Sequence, residues 1–403
     1  MTKKEEIIRE LYPEDKFGYA EKLTLGELEV LQHARKIIEE EIRPVINDHW
    51  ERAKFPFEAF YKLKEAGIMD SPKLFEDREV TNKWKASEMY NAFLYYELAR
   101  FDASIATFYT VHGGLGYNTL LIGGSDEQIE EIAPKLRSFE WQTCFALTEP
   151  DHGSDIAGGL ATSARRVGDK WILNGEKRWI GGADTADIVP VFARDVEDSK
   201  IKCFLVRKGA KGYKAEPIQE KIGLRPIQNG HITLEDVEVP ESDRLPNIKG
   251  FRNVSEIFIR TRADVAHIAN GITAGAFVAA VRNTTSREQF DRKLASFQLV
   301  QEKLARMQAN ATATLGYSVR IAEQMEKGNY EMFNSSLAKM HNALRMRETV
   351  ALAREVTGGN GITLETDVAR FFADAEAIYT YEGTHEINSL LVGREITGVG
   401  AFV

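Results

Sequence analysis

The sequence predicts a mostly α protein with a central β domain, and three observations carry that prediction. Apolar residues recur at i, i+3 and i+4 up to about residue 139, alternate with period two from about 140 to 245, and resume the helical period from 246 to the end. Turns rich in Gly, Asp and Pro crowd the middle stretch. A chain of 403 residues, 43% of them hydrophobic, has apolar surface enough for two or three cores. No internal repeat or low-complexity linker breaks the order, so compact domains are expected at 1–139, 140–245 and 246–403.

In the first domain Thr24-Leu-Gly-Glu27 is a capping box that opens a helix. Leu28, Leu31, Ile38 and Ile42 follow on one face, and Pro44 is expected to stop the pattern. Phe57–Gly67 and Glu88–Arg100 repeat the amphipathic style, and Ser125-Asp-Glu-Gln128 opens another helix. In the middle domain Asn174-Gly175, between apolar-bearing runs, reads as a hairpin turn. Ile188–Phe192, Ile201–Val206 and Ile232–Val239 are further strands, together suggesting an antiparallel barrel or sandwich. In the last domain Phe297, Val300, Leu304, Met307, Ala311, Leu315 and Val319 form a long stripe that fits a bundle helix, with a coiled coil as the alternative.

Composition excludes several function classes. A net charge of −9 and a pI near 5.6 leave no basic field for nucleic acid. No stretch approaches the ~20 apolar residues of a membrane span. The first residues lack the apolar core of a secretion signal and the last lack a peroxisomal Ser-Lys-Leu address, so a cytoplasmic location is expected. Cys144 and Cys203 make no disulfide framework and read as buried reduced thiols. The eight histidines show no zinc spacing, and neither a phosphate-binding Gly-rich loop nor a nucleophile elbow is present.

The chemistry points to Tyr379-Thr-Tyr-Glu-Gly-Thr-His-Glu-Ile387. Glu382 sits on a turn beside Gly383, and Thr384 is a good N-cap for the helix that follows. An isolated glutamate there would simply complement the helix dipole. Its company argues for more: Cys144-Phe-Ala-Leu-Thr-Glu-Pro-Asp-His-Gly-Ser-Asp155, Lys177-Arg-Trp-Ile180, Arg287-Glu-Gln-Phe290 with Gln298, and Gly358-Gly-Asn-Gly361, in that order. This ordered set resembles the acyl-CoA dehydrogenase and acyl-CoA oxidase superfamily, over nearly the whole chain from Glu97 to Gly398. The segments Phe145–Asp151, Arg178–Gly181, Lys221–Arg225 and Thr380–Thr384 look most like the short-chain acyl-CoA oxidase and glutaryl-CoA dehydrogenase branch.

The resemblance implies a homotetramer, each subunit having an N-terminal helical domain, a middle β-barrel, a C-terminal four-helix bundle and one FAD. It implies a role in fatty-acid β-oxidation, with Glu382 as the catalytic base. By motif, Phe145, Leu147, Thr148, Trp179, Ile180 and Gly181 would border the flavin ring, with Gly153 and Ser154 between flavin and acyl-CoA. Arg287, Phe290, Gln298, Glu355, Val356, Gly358 and Gly359 would meet the ADP portion of a neighbouring subunit's FAD, and Thr384 and Glu386 its phosphate and sugar region. Ser154, Arg262 and Gly383 would contact acyl-CoA. Plainer alternatives stand beside these roles. Trp179 and Phe290 also read as core aromatics, the glycines 358, 359 and 361 as a helix C-cap, Arg262 and Arg287 as surface cations, and His385 as a packed histidine at a helix start.

The implied reaction is desaturation of an acyl thioester: loss of an α-proton to Glu382 and of a β-hydride to flavin. Burial by the acyl chain would raise the basicity of that glutamate. A base carried on the helix of Thr261 and Arg262, as in one branch, is excluded because Thr261 has no carboxylate. Gly181 stands where many relatives have Thr, and Asp291 and Lys293 replace the usual Gly and Pro. Electron-transferring flavoprotein is the expected acceptor, with an oxidase using oxygen, or a non-catalytic flavoprotein scaffold, as alternatives. Glutaryl-CoA dehydrogenases place a carboxylate-binding arginine where this chain has Ala106, so a short-chain monocarboxylic substrate is expected.

Overall fold

The computed structural model describes residues 1–76 and 82–401 and divides into two units. One comprises Met1–Thr107, Ile222–Pro226 and Arg262–Val403; the other comprises Phe108–Lys221 and Ile227–Thr261.

The first unit is helical. The Thr24 hydroxyl accepts from Glu27 N–H (3.2 Å) while the Glu27 carboxylate accepts from Thr24 N–H (2.9 Å), which opens helix α1 (Leu25–Ile37). Pro44 does not stop the chain as the sequence suggests. A π turn at Ile38–Ile42 widens the backbone and delivers Pro44 to the first turn of α2 (Arg43–Glu51), where the missing N–H costs nothing. The second amphipathic segment becomes Phe57–Tyr61 plus a 3₁₀ turn, ending on left-handed Gly67. Helix α3 (Glu88–Phe101) is buried on nearly every face. Helix α4 (Phe251–Ser286) joins this unit from Arg262 onward. Further helices of this unit are α5 (Gln298–Glu326), α6 (Met332–Thr357), α7 (Val368–Thr380) and α8 (His385–Thr397). Met307, Ala311, Leu315 and Val319 of the expected α5 stripe are buried.

Helix α4 differs from expectation in one respect. By length and composition it is apolar enough to cross a membrane, yet 78% of its most apolar window is buried inside the protein. It is a core helix.

The second unit is organised on a six-stranded sheet in the order β4-β3-β1-β2-β6-β5: β1 Ser163–Val167, β2 Lys170–Gly181, β3 Ile188–Asp195, β4 Ile201–Arg207, β5 Tyr213–Pro217 and β6 Asn229–Pro240. Pairing is antiparallel except between β1 and β3. Trp171, Leu173, Val191, Phe204, Ile232 and Val237 pack its core. Asn174-Gly175 is not a hairpin. Strand β2 runs straight through it, and the tight turn lies earlier, at Gly168-Asp169 between paired Val167 and Lys170. The β2–β6 register shifts between Leu173 and Gly175, a bulge locked by reciprocal bonds: Asn174 Nδ2 to Asp236 Oδ1 (2.9 Å) and Asp236 N–H to Asn174 Oδ1 (2.8 Å). Gly175 is required because a Cβ there would lie 2.7 Å from Thr162 Cα.

Candidate active site

Helix α7 ends at Thr380 and α8 begins at His385, and between them the chain makes a left-handed turn. Glu382 has φ 55° and Gly383 φ 87°. A non-glycine residue in that region costs roughly 1–2 kcal/mol, so Glu382 is held there by its surroundings. The Thr384 hydroxyl caps α8 by accepting from Ile387 N–H (3.3 Å). Asn388 Nδ2 donates to the carbonyls of Gly383 (2.9 Å) and Thr384 (3.0 Å). Arg262 Nε donates to the Glu382 carbonyl (3.4 Å). Lys339 Nζ donates to the carbonyls of Tyr379 and Gly383, at 2.7 Å each. At Gly383 the positive φ disfavours a side chain, and a Cβ would also press on the tip of Asn388 at 3.1 Å.

Two cations therefore bracket the turn, and both are buried. Arg262 is not the surface residue its helix position allows; its guanidinium also reaches the Met332 sulfur. Burial pulls Arg262 down from its ordinary value, with the negative charge of Glu382 opposing. Burial pushes Lys339 down to about 7, opposed by Glu382 and Glu386 and reinforced by Arg262. Tyr381, beside Glu382, meets Thr107 Oγ1 through its hydroxyl at 3.4 Å. Burial, with the charges of Glu382 and Asp264, raises its phenol well above the usual value. Asp264 is itself buried and accepts from Tyr95 (3.2 Å). His385 stacks on Tyr379, with ring centroids 5.2 Å apart, as the packed-histidine reading expects.

In the sheet unit, Phe145, Leu147 and Thr148 run alongside β3 and reach the end of β2 through Arg178 N–H, which donates to the Thr148 carbonyl (2.8 Å). Lys177, fully buried, donates to the Leu147 carbonyl (3.1 Å) and the Glu149 carboxylate (2.8 Å), and burial lowers it to about 8. Glu149 also accepts from Ala161 and Thr162 N–H (2.6 and 2.9 Å), so it staples the loop that carries Gly153 and Ser154. Both of those residues are exposed. Trp179 is not a core aromatic: its φ is 68° and its side chain is 53% exposed, beside buried Ile180. Gly181 is filled in from the neighbouring segment, because a Cβ there would meet Val111 Cγ2 at 3.1 Å.

A third group sits in the helical unit. Arg287, Phe290, Gln298, Glu355, Gly358 and Gly359 are all exposed, while Val356 is buried. Phe290, 88% exposed, and Asp291 both have positive φ and form the two-residue turn of a short hairpin, so the sequence departures at Asp291 and Lys293 keep a defined loop. Lys303 of α5 pairs with Glu355 of α6 at 2.5 Å, which ties the start of one helix to the end of the other. Cβ atoms at Gly358 and Gly359 would meet nothing, so these positions are open to a ligand as well as capping α6. Thr384 is half-buried and Glu386 exposed. Among the described residues no cluster of His, Cys, Asp or Glu has metal-site geometry. Cys144 and Cys203 are buried free thiols.

Sequence reasoning missed Lys339, Asp264 and the Lys177–Glu149 staple. Lys339 had a signal: Ser335, Ser336, Asn342 and Ala343, one turn either side, are small or polar and buried, an unusual stripe around a solvated lysine.

Glu382 thus stands on a strained turn flanked by two buried cations, and the sheet unit by itself carries an exposed indole and a stapled Gly-Ser loop. The chain matches the acyl-CoA dehydrogenase N-terminal domain over residues 26–140, the middle domain over 144–237 and the C-terminal domain over 248–397. It belongs to the acyl-CoA dehydrogenase family and is an oxidoreductase of that type. It is 31% identical over 370 residues to a 3-(aryl)acrylate reductase of Clostridium sporogenes, covering 90% of this chain and 96% of the relative. An acyl-CoA dehydrogenase of Bacillus subtilis is 30% identical, with 90% and 96% covered. Two structures of glutaryl-CoA dehydrogenase from Mycobacterium smegmatis are similar. The first is 33% identical, TM-score 0.87, with 95% of this chain and 97% of that one covered. The second, in complex with FADH2, is 29% identical, TM-score 0.89, with 97% and 99% covered. A chain from work on the electron transferring flavoprotein of Acidaminococcus fermentans and flavin-based electron bifurcation has 26% identity, TM-score 0.86, and 93% and 99% coverage.

Proposed function

We propose that this protein desaturates a short-chain monocarboxylic acyl-CoA at the α,β position, with Glu382 as the base and electron-transferring flavoprotein as the acceptor. FAD is the cofactor, and when bound it supplies the site that accepts the β-hydride. The chain's residues fit it: exposed Trp179 beside Thr148 offers an apolar plane, and the Gly153-Ser154 loop is stapled next to them. The exposure of Arg287, Phe290, Gly358 and Gly359 supports a homotetramer in which a neighbour's FAD covers them.

The observation that carries the reading is the conformation of Glu382, a positive-φ glutamate whose own carbonyl and those of Tyr379 and Gly383 are tied down. Such restraint fixes a carboxylate for proton abstraction without reorganisation. The monocarboxylic preference is supported by Ala106, buried one residue from Thr107, which touches Tyr381. No cation occupies that position, and the nearby buried Asp264 would repel a second carboxylate. An apolar acyl end gains about 0.8 kcal/mol for each buried CH₂ instead.

Anaerobic mixing of the holoenzyme with butyryl-, isobutyryl-, octanoyl-, 3-phenylpropanoyl- and glutaryl-CoA tests this, by the rate of flavin bleaching and then by kcat/KM with a single electron acceptor. Butyryl-CoA is expected to lead and glutaryl-CoA to be nearly inert. A clear preference for glutaryl-CoA overturns the pocket argument. Rapid recovery of the flavin in air makes the protein an oxidase.

A further inference from the structure

Lys339 lies in the middle of α6 with no solvent exposure, in a protein whose lysines are otherwise mostly at the surface. A buried ammonium is costly unless its donors are used. Here both bonds go to main-chain oxygens on either side of one residue: the Tyr379 carbonyl, three residues before Glu382, and the Gly383 carbonyl, one residue after it. One ammonium thus ties the last turn of α7 to the far side of the left-handed turn. Asn388 shares the Gly383 carbonyl, and Arg262 holds the Glu382 carbonyl from the opposite helix.

We propose that Lys339 is the positioning residue of the catalytic turn, clamping it through two carbonyls so that Glu382 keeps the strained conformation in which it meets the substrate. This rests on Glu382 being the base. Lys339 touches neither substrate nor cofactor in this role; it acts through the backbone.

The charge of Lys339 adds a second effect. The charged groups facing it are Glu382 and Glu386, which stabilise the ammonium, and Arg262, which opposes it. Since the attraction is mutual, the ammonium favours the ionised form of Glu382. Two N–H donors suffice for the two carbonyls, so the clamp persists when Lys339 is neutral, whereas its pull on Glu382 does not.

The test uses the full-length holoenzyme with Lys339→Met, which keeps the volume and removes the donors, and Lys339→Gln, which keeps two N–H groups without the charge. The wild type is measured first. If butyryl-CoA and the rest of the acyl-CoA panel leave its flavin oxidised, the proposed function fails before Lys339 is tested. With an active wild type, Lys339→Met is expected to retain FAD and to bind butyryl-CoA within about threefold of wild type. Its flavin-reduction rate is expected to fall by about 10–100-fold, the scale at which a misplacement of about 1 Å acts. Hydrogen exchange at residues 379–384 should accelerate, and the pH profile of flavin reduction should move to higher pH. Lys339→Gln should recover part of the rate and of the exchange protection while keeping the pH shift. A Lys339→Met rate within twofold of wild type overturns the proposal. So does an equal loss in acyl-CoA binding and rate. If neither variant folds as a flavoprotein, Lys339 serves the core and the proposal also fails.

Discussion

As the proposed base, Glu382 has to be basic enough to take an α-proton, yet its neighbours Arg262 and Lys339 are cations that favour the carboxylate. The two demands are compatible because burial pulls both cations down, Lys339 to about 7, so that near neutral pH its ammonium is only partly present to favour the carboxylate. Replacing Glu382 by Gln keeps the shape and removes the basicity. FAD content and butyryl-CoA affinity are expected to stay near wild type, while flavin reduction falls by about 10²–10⁴-fold, the range typical of a lost general base. Stopped-flow reduction and a spectral binding titration separate these outcomes. Substantial residual turnover would return the base to another carboxylate, of which Asp264 is the one to examine. It lies in the same unit, and its charge is felt by Tyr381.

At the scale of elements, β2 depends on the bulge at Asn174-Gly175. Gly175 has φ 144° and its Cα hydrogen faces Thr162, so Gly175→Ala forces a Cβ against backbone at 2.7 Å. Backbone cannot yield as a side chain tip does, and the expected cost is about 1–3 kcal/mol, read as a lowered denaturation midpoint with the flavin spectrum retained. A stability unchanged from wild type would mean that the two strands separate freely there. The same dipeptide shows why some of the fold escaped the sequence. Period and capping boxes are local, so α1, α3, β3, β4 and β6 were legible. Asn-Gly serves a hairpin and a bulge equally well, and only the partner strand, through Asp236, decides between them. Pro44 was misread for a related reason: the π turn before it is set by packing, with no residue type marking it. In the candidate site, the motif singles out Glu382. Lys339 is not legible, because the carbonyls that define its role belong to Tyr379 and Gly383, some forty residues on.

Each unit of the molecule keeps one imidazole neutral in its interior, and this shapes its stability to acid. His112 accepts from Thr143 N–H at Nδ1 (3.2 Å) and meets the Leu136 carbonyl at Nε2 (2.9 Å), so Nε2 carries the single proton, and burial pushes the ring down to about 4. His267, stacked on Tyr95, is pushed down by burial to about 3. Unfolded, both would titrate near 6.5. Their contribution is complete above that value and is lost as the pH falls toward the folded values, because the unfolded chain binds protons the folded one refuses, at about 1.4 kcal/mol per pH unit for each ring. Asp374 works the other way. Burial first, then the charge of Asp102, pushes it up to about 7, although it accepts from Leu224 N–H at 2.6 Å. Folded, it holds a proton that the unfolded chain has released above about 4, so it gains stability as the pH falls between those values. The two rings therefore lose stability as the pH falls from about 6.5, and the buried carboxyls Asp374 and Asp102, both raised by burial, oppose that loss. His267→Phe, which keeps the aromatic stack and removes the titration, is expected to flatten the curve. Asp374→Asn is expected to steepen it. Denaturant midpoints of the holoenzyme across that range check both, and a His267→Phe curve parallel to wild type would show that this ring is protonated in the folded protein.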